Sequence, residues 1–329
     1  MRRREFIGLL GGAAAWPFAA RAQQTERMRR IGMLQPLAGD DPEAQLRVSA
    51  VNGRLKELGW TDGSNVRVDY RWTSGNAALT RAQAAELVSL KPDVILGAST
   101  PVAAALRAET STVPIVFVQV IDPVAAGFVV SLARPGGNVT GITNFEFTVG
   151  SKWLQTLKEI SPKLVRVAVL YNPKTAPYAG SLLRSIESAA VSFAMEPTAT
   201  PIQDADEIES AIDRLAQQSN SGLLVLPDST TLVHRDLIIA RVAQHRLPAI
   251  YPFRYFTLNG GLVSYGTDAA DTHRQAVSYV DRILRGTKPE DLPVQAPIKF
   301  ELIINLKTAR ALGIEVPPTL LARADEVIE

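Results

Sequence analysis

The strongest constraint on the fold is the stretch Asp93-Val-Ile-Leu-Gly-Ala-Ser-Thr-Pro-Val-Ala-Ala-Ala-Leu-Arg-Ala-Glu109, which leads within a few residues to Val113-Pro-Ile-Val-Phe-Val-Gln-Val-Ile-Asp-Pro123. Val94 to Leu96 is a short apolar run, Gly97 to Thr100 a turn, Pro101 to Glu109 an alanine-rich helix, and Ile115 to Val120 is apolar again. This is a strand, a crossover helix and a strand. Thr100-Pro101 reads as a cap with proline at the first helical position, where its missing N–H is no loss. The helix therefore begins just past the strand's carboxyl end. In an open parallel sheet that edge receives ligands, and a helix N-terminus adds free N–H groups and partial positive charge. Ser99 and Thr100 are placed to hold an anionic group, and simple capping of the helix is the plain alternative.

The same alternation runs through the chain. Arg29 to Leu34 is a first strand ending at Gln35-Pro36, followed by a helix from about Asp41 to Leu58 with Leu46, Val48, Val51, Leu55 and Leu58 along one stripe. Val66 to Trp72 alternates as a second strand, and Ala77 to Leu90 is helical. Asp122 to Gly141 holds a short helix and a glycine-rich turn before the strand-like Val139 to Asn144. Its Pro135-Gly-Gly-Asn138 lacks the spacing and the strand-before, helix-after context of a phosphate loop, so it reads as a turn. A second set follows: helices over 149–160, 177–193, 205–217 and 232–245, and strands over 165–170, 196–202, 222–226 and 248–251. Four parallel strands with covering helices, twice over, predict an α/β protein of two doubly wound parallel-sheet lobes. Beyond Tyr255 come a strand at 262–265, a helix over 269–284, a proline-bearing linker over 289–297, the alternating Lys299 to Leu306 and two short helices. These pieces are too small for a third domain and are expected to divide between the lobes.

The first residues belong to a different chemistry. Clustered arginines in Met1-Arg-Arg-Arg-Glu-Phe-Ile7, an apolar stretch from Ile7 to Ala20 and the pattern Ala20-Arg-Ala22 make an export signal over 1–22. The pair Arg3-Arg4 is like that of the twin-arginine class, and the general route stays open. Removing four arginines and one glutamate takes the formal charge of +2 to about −1, which gives no reason to expect nucleic acid or an anionic membrane as a partner. With 46% hydrophobic and 21% charged residues the chain is globular, and its lack of cysteine excludes disulfides, thiolate metal sites and a cysteine nucleophile.

Several segments resemble one family in particular: Asp122-Pro-Val124, Leu132-Ala-Arg-Pro-Gly-Gly-Asn-Val-Thr-Gly141, Ser278-Tyr-Val-Asp-Arg-Ile-Leu-Arg-Gly286, Phe300-Glu-Leu-Ile-Ile-Asn-Leu-Lys-Thr-Ala-Arg-Ala-Leu-Gly313 and the ending from Pro317 to Glu329. The chain is similar throughout to ABC-transporter substrate-binding proteins with the type 1 periplasmic-binding-protein fold. The resemblance implies two lobes joined by a hinge of three crossings, one near 25–144 and 257–287, the other near 145–256 and 288–329. It implies a monomeric periplasmic receptor that delivers a small molecule, with an amino acid as one candidate, to an inner-membrane ABC permease. Aromatic amino acid binders are known in that family, and many of its members have no assigned ligand. A periplasmic sensor presenting the same cleft to a signalling receptor is the alternative. A lobed repressor is disfavoured, because an export signal stands where a DNA-reading helix-turn-helix would be.

The carboxyl ends of the expected strands carry Gln35, Ser99, Thr100, Gln119 and Asp122 in the first lobe, and Tyr171, Asn172, Asp228, Ser229 and Thr230 in the second. Hydroxyls and free helix N–H groups suit a carboxylate, and Asp228 suits an ammonium, so the set fits a zwitterion. Capping is the competing role for Asp228, Ser229 and Asp122, and turn chemistry for Tyr171 and Asn172. No cofactor is expected. Enzyme chemistry is disfavoured, since neither a G-x-S-x-G elbow nor an H-E-x-x-H motif is present. His234, His245 and His273 are expected at the surface; the first two fall about 16 Å apart on one helix, too far to share a metal.

Overall fold

The computed structural model describes residues 28–297 and 299–329, so the expected export signal over 1–22 lies outside the described residues. The first lobe runs β1 (Arg29–Gln35), α1 (Pro42–Glu57), β2 (Val66–Trp72), α2 (Ala77–Ser89), β3 (Val94–Ala98), α3 (Thr100–Glu109), β4 (Ile115–Val120) and β5 (Val139–Thr143). These strands form a parallel sheet in the order β2-β1-β3-β4-β5. β3 and β4 are covered on both faces, which is why they read as unbroken apolar runs, whereas the edge strand β2 exposes Arg67 between the buried Val66 and Val68. α1 starts where Asp41 caps it, its side chain accepting from the Glu43 N–H with Pro42 just inside.

The second lobe contains α4 (Val149–Ile160), β6 (Arg166–Tyr171), α5 (Ala179–Phe193), β7 (Glu196–Pro201), α6 (Ala205–Ala216), β8 (Ser221–Val225), α7 (Ser229–Val233), α8 (Arg235–Gln244), β9 (Ala249–Tyr251), α9 (Arg254–Leu258) and β10 (Val263–Gly266). After α10 (Ala269–Leu284) come β11 (Glu301–Asn305), α11 (Leu306–Leu312), α12 (Pro318–Leu321) and β12 (Glu326–Ile328). Its seven-stranded sheet has the order β12-β11-β10-β9-β8-β6-β7.

Four expectations need correction. The first sheet has a fifth strand, because Val139–Thr143 pairs with β4. The single helix expected over 232–245 is two, α7 and α8, joined at His234, whose φ of −95° and ψ of 18° leave the helical region. The second sheet is mixed, since β10 and β11 run antiparallel. Finally, residues 257–287 do not all accompany the first lobe: β10 pairs with β9 in the second sheet, and only α10 packs its Val277, Val280, Ile283 and Leu284 with Val51 and Leu55 of α1. Gly266 ends β10 against β9's exit, where a Cβ would overlap the Pro252 carbonyl oxygen.

The chain consequently passes from the first sheet to the second after Thr143, back between Gly266 and Ala269, and again beyond Gln295, which still bridges to Ile142. All three passages lie beside the β5 edge. There Phe145 packs against Trp153, Phe253 and Phe300 at centroid distances of 5.4, 5.5 and 6.0 Å. Away from that edge the lobes also touch. Leu37, Ala44 and Ile121 of the first lobe join the core of the second, and Arg235 Nη1 lies 2.8 Å from Asp41 Oδ2.

Candidate functional site

Between the two sheets lies a narrow cleft, partly open to bulk water, of about 350 Å³ when its solvent mouth is counted. Ser99, Thr100, Gln119 and Asn144 line it from the first lobe; Thr175, Tyr178, Pro227, Asp228, Ser229, Leu232, Phe253 and Tyr255 line it from the second. Nearly all follow the carboxyl ends of strands. Of the residues expected at the site, Ser99, Thr100, Gln119, Asp228 and Ser229 are brought together here.

The backbone of the first-lobe wall is strained where it meets the cavity. Ser99 has φ 85° and ψ 155°, and Gln119 has φ 55°; such conformations cost roughly 1–3 kcal/mol each in non-glycine residues and cluster at functional sites. At Gln119 the strain coincides with a register shift between β4 and β5. Ser99 occupies the N-cap of α3, yet its hydroxyl makes no cap hydrogen bond and is buried without any partner. The capping role that competed with ligand contact at Ser99 is therefore absent. Since the first N–H groups of a helix lack intrahelical acceptors, α3 presents donors beside that hydroxyl. Asn144, 2% exposed, and Tyr255, 5% exposed, likewise have Oδ1 and OH buried and unpartnered.

The second-lobe wall is built around Asp228. Its Oδ1 accepts from the N–H groups of Thr230 (2.7 Å) and Thr231 (2.9 Å) and from the Thr175 hydroxyl (3.1 Å), while Oδ2 accepts from the Asn172 N–H (3.0 Å). Asp228 is thus both cap of α7 and cavity wall. Burial pushes its carboxyl up to about 6, opposed by hydrogen bonds from Thr231, Asn172, Thr175 and Thr230. Tyr178 donates its hydroxyl to the Pro227 carbonyl, and burial followed by the nearby Asp228 charge holds that hydroxyl well above the ordinary tyrosine range. Burial raises Tyr255 similarly, with Arg47 pulling the other way. Phe253, Leu232 and Pro227 supply the apolar surface.

Five expected residues stand elsewhere. Gln35 is fully buried behind the wall, its Nε2 3.2 Å from His273 Nε2. Asp122 accepts from the Ala125 N–H and caps a turn. Tyr171 is half-buried at the end of β6, outside the cavity lining. Asn172 braces the wall from behind, donating to the Thr230 hydroxyl, which faces it rather than the cavity. Missed were Asn144, Thr175, Tyr178, Pro227, Leu232, Phe253 and Tyr255. Asn144 and Phe253 follow β5 and β9, so the rule that found Ser99 would have found them too; Tyr178 and Tyr255 reach the cavity from helix starts and leave no local signal. His273 also corrects its expected surface position. α10 packs on the first sheet, and burial, then the Arg47 charge, push the imidazole down to about 3. Its Nδ1 donates to the Ala269 carbonyl, leaving Nε2 to accept from Gln35. Among the described residues no group of three or more His, Asp or Glu stands where it could hold a metal ion.

Comparison with known proteins agrees with this architecture. The chain is 30% identical over 293 residues to a tyrosine-binding protein of Clostridioides difficile, covering 88% of this chain and 83% of that one. A conserved domain protein from Vibrio cholerae superposes with a TM-score of 0.85 at 30% identity, covering 92% of this chain and all of the other. An ABC domain from Streptococcus pneumoniae in complex with L-tryptophan superposes with a TM-score of 0.84 at 24% identity, covering 91% and 99%. The model of the ABC transporter substrate binding protein family matches residues 30–328, and the chain belongs to that family of binding proteins, which are not enzymes.

Proposed function

We propose that this protein is a periplasmic receptor for an amino acid with an aromatic side chain, captured between the lobes and handed to an inner-membrane ABC permease. One observation carries the reading: the cavity is polarised. Its first-lobe wall offers the Ser99 hydroxyl, the N-terminal N–H groups of α3 and the Gln119 amide, which suit a carboxylate; its second-lobe wall offers the buried carboxylate of Asp228. Taking an ammonium out of water unpaired costs several kcal/mol, whereas micromolar affinity needs only about −8 kcal/mol in all. A buried carboxylate facing carboxylate-binding donors therefore favours a zwitterion over a neutral solute. Phe253, Tyr255, Tyr178 and Leu232 are suited to a ring, and the tyrosine-binding relative supports that choice. No helix among the described residues is long and apolar enough to cross a membrane. The arginine-led start of the sequence supports export.

Calorimetry on the signal-less protein tests the reading. L-tyrosine or L-tryptophan is expected to bind at micromolar concentration or tighter, with ligand at 100 times Kd adding about 2.7 kcal/mol of stability. If no standard amino acid gives heat or a thermal shift, the reading is wrong.

A further inference from the structure

We infer that Arg47 is a positioning residue that fixes the Gln119 amide so that it can only donate into the cavity, making this wall selective for a ligand carboxylate over the corresponding amide. The inference deepens the amino-acid reading and rests on it.

Arg47 lies in α1, is wholly buried, and does not line the cavity. Its Nε donates to Glu43 Oε1 at 2.9 Å and its Nη1 to Gln119 Oε1 at 2.9 Å. A guanidinium has donors and no acceptor, so the atom of Gln119 that faces it must be the oxygen. The ambiguity between amide oxygen and nitrogen is thereby removed by chemistry alone. Gln119 lines the cavity, and with its oxygen committed to Arg47 the Nε2 is the end left for a ligand. The strained backbone at Gln119 and the register shift beside it aim the side chain off the regular strand. Ser99 stands next to it, its N–H donating to the Val118 carbonyl at 3.0 Å. Three kinds of donor, an amide N–H, a hydroxyl and helix N–H groups, thus converge on one end of the cavity. A carboxylate accepts from all of them. A primary amide has one oxygen to offer these donors, and at the Gln119 end its N–H groups meet a donor in place of an acceptor.

The test compares the affinities of L-tyrosine with L-tyrosinamide, and of L-tryptophan with L-tryptophanamide. In the wild type the acid is expected to bind at least thirtyfold more tightly. Gln119→Glu keeps the shape and gives Arg47 a carboxylate, so the variant should fold; its free oxygen would repel the acid and accept from the amide. Losing a hydrogen bond to a charged group costs about ten- to a hundredfold, and the acid should lose at least thirtyfold while the amide loses none. In the double variant Glu43→Met with Arg47→Met the Gln119 amide is free to turn, and the acid-over-amide ratio should fall at least tenfold; Arg47→Lys, which retains a donor, should restore it to within threefold of wild type. A merely structural Arg47 would weaken both ligands equally and leave the ratio unchanged. Wild-type binding with an unchanged ratio in folded variants overturns this inference alone. Absence of any wild-type binding overturns the amino-acid reading and this inference with it.

Discussion

At the residue scale, Ser99 and Asp228 each hold a conformation or a charge that folding alone would not select. Ser99 sits in a backbone region nearly reserved for glycine, with its hydroxyl buried and idle. Ser99→Gly should relieve roughly 1–3 kcal/mol of strain, offset by the roughly 0.5–1 kcal/mol that glycine's freer unfolded chain adds. The expected outcome is a ligand-free protein about 1 kcal/mol more stable in thermal melts, together with about tenfold weaker ligand binding in calorimetry. Equal affinity would remove the hydroxyl from the site. Asp228 makes the complementary case. Its folded carboxyl titrates at about 6 against an ordinary value of 3.8, so between those values the folded state holds the extra proton. This group's stabilising contribution is complete below pH about 4 and is lost as pH rises through 6, a change on the order of 3 kcal/mol. Asp228→Asn should start out less stable, because an amide nitrogen cannot accept from the Asn172 N–H, and the gap to wild type should narrow from pH 4 to 7. An ammonium in the cavity would favour the ionised carboxyl, so affinity for L-tyrosine should fall as pH drops below about 6 in wild type and stay flat in the variant. A pH-independent wild-type affinity would sever Asp228 from the ligand.

At the element scale, α1 and α8 meet across the cleft through Asp41 and Arg235, whose side chains are 13% and 8% exposed. The pair stands near β1, three strand spacings from β5 and hence roughly 14 Å from the edge where the chain crosses between lobes. Opening must break it. Asp41 also caps α1 through its other oxygen, and asparagine caps equally well, so Asp41→Asn removes the charge while keeping the helix start. The variant should release ligand about five- to tenfold faster in stopped-flow measurements with a thermal midpoint within a few degrees of wild type. An unchanged release rate would mean that the pair contributes nothing to closure. Elements were also where the sequence was most and least legible. The strands, the crossover helices and the strand-end rule that located Ser99, Thr100, Gln119 and Asp228 follow from periodicity and capping, which are local. The placement of β10 does not: Val263 to Gly266 is equally apolar in either sheet, and only pairing with β9 and β11 decides. Nor does the burial of Arg47 and His273, because a polar residue on an amphipathic helix looks solvated until a neighbouring helix covers it. Tyr255 enters the cavity because α9 begins at Arg254, a turn of five residues too short to announce itself.

At the scale of the whole molecule, two lobes joined beside one edge form a lever, and the contacts farthest from that edge report its position most sensitively. Gly75, just past β2, and Val233, at the end of α7, face each other across the gap. A Cβ on Gly75 would lie 3.7 Å from Val233 Cβ, inside the range of about 3.5–4.5 Å that disulfides require. The natural chain has no cysteine, so a pair introduced as Gly75→Cys and Val233→Cys has one possible partner each. Gly75 has φ 70°, and placing cysteine there costs about 1–2 kcal/mol, which a closed loop of this length should more than offset through the unfolded chain. Oxidised without ligand, the double variant should be locked with its lobes together: the reduced form should bind L-tyrosine or L-tryptophan as wild type does within a few fold, and the oxidised form should associate at least a hundredfold more slowly. Oxidised with ligand bound, it should retain the ligand through extended dialysis and release it on reduction. These two results depend on a single geometry, a cavity reached only by parting the lobes at the edge away from β5. If the oxidised protein exchanges ligand as quickly as the reduced one, the ligand enters by another path and the hinged capture proposed for this molecule fails; if the bond never forms, the lobes do not approach in solution as they do here.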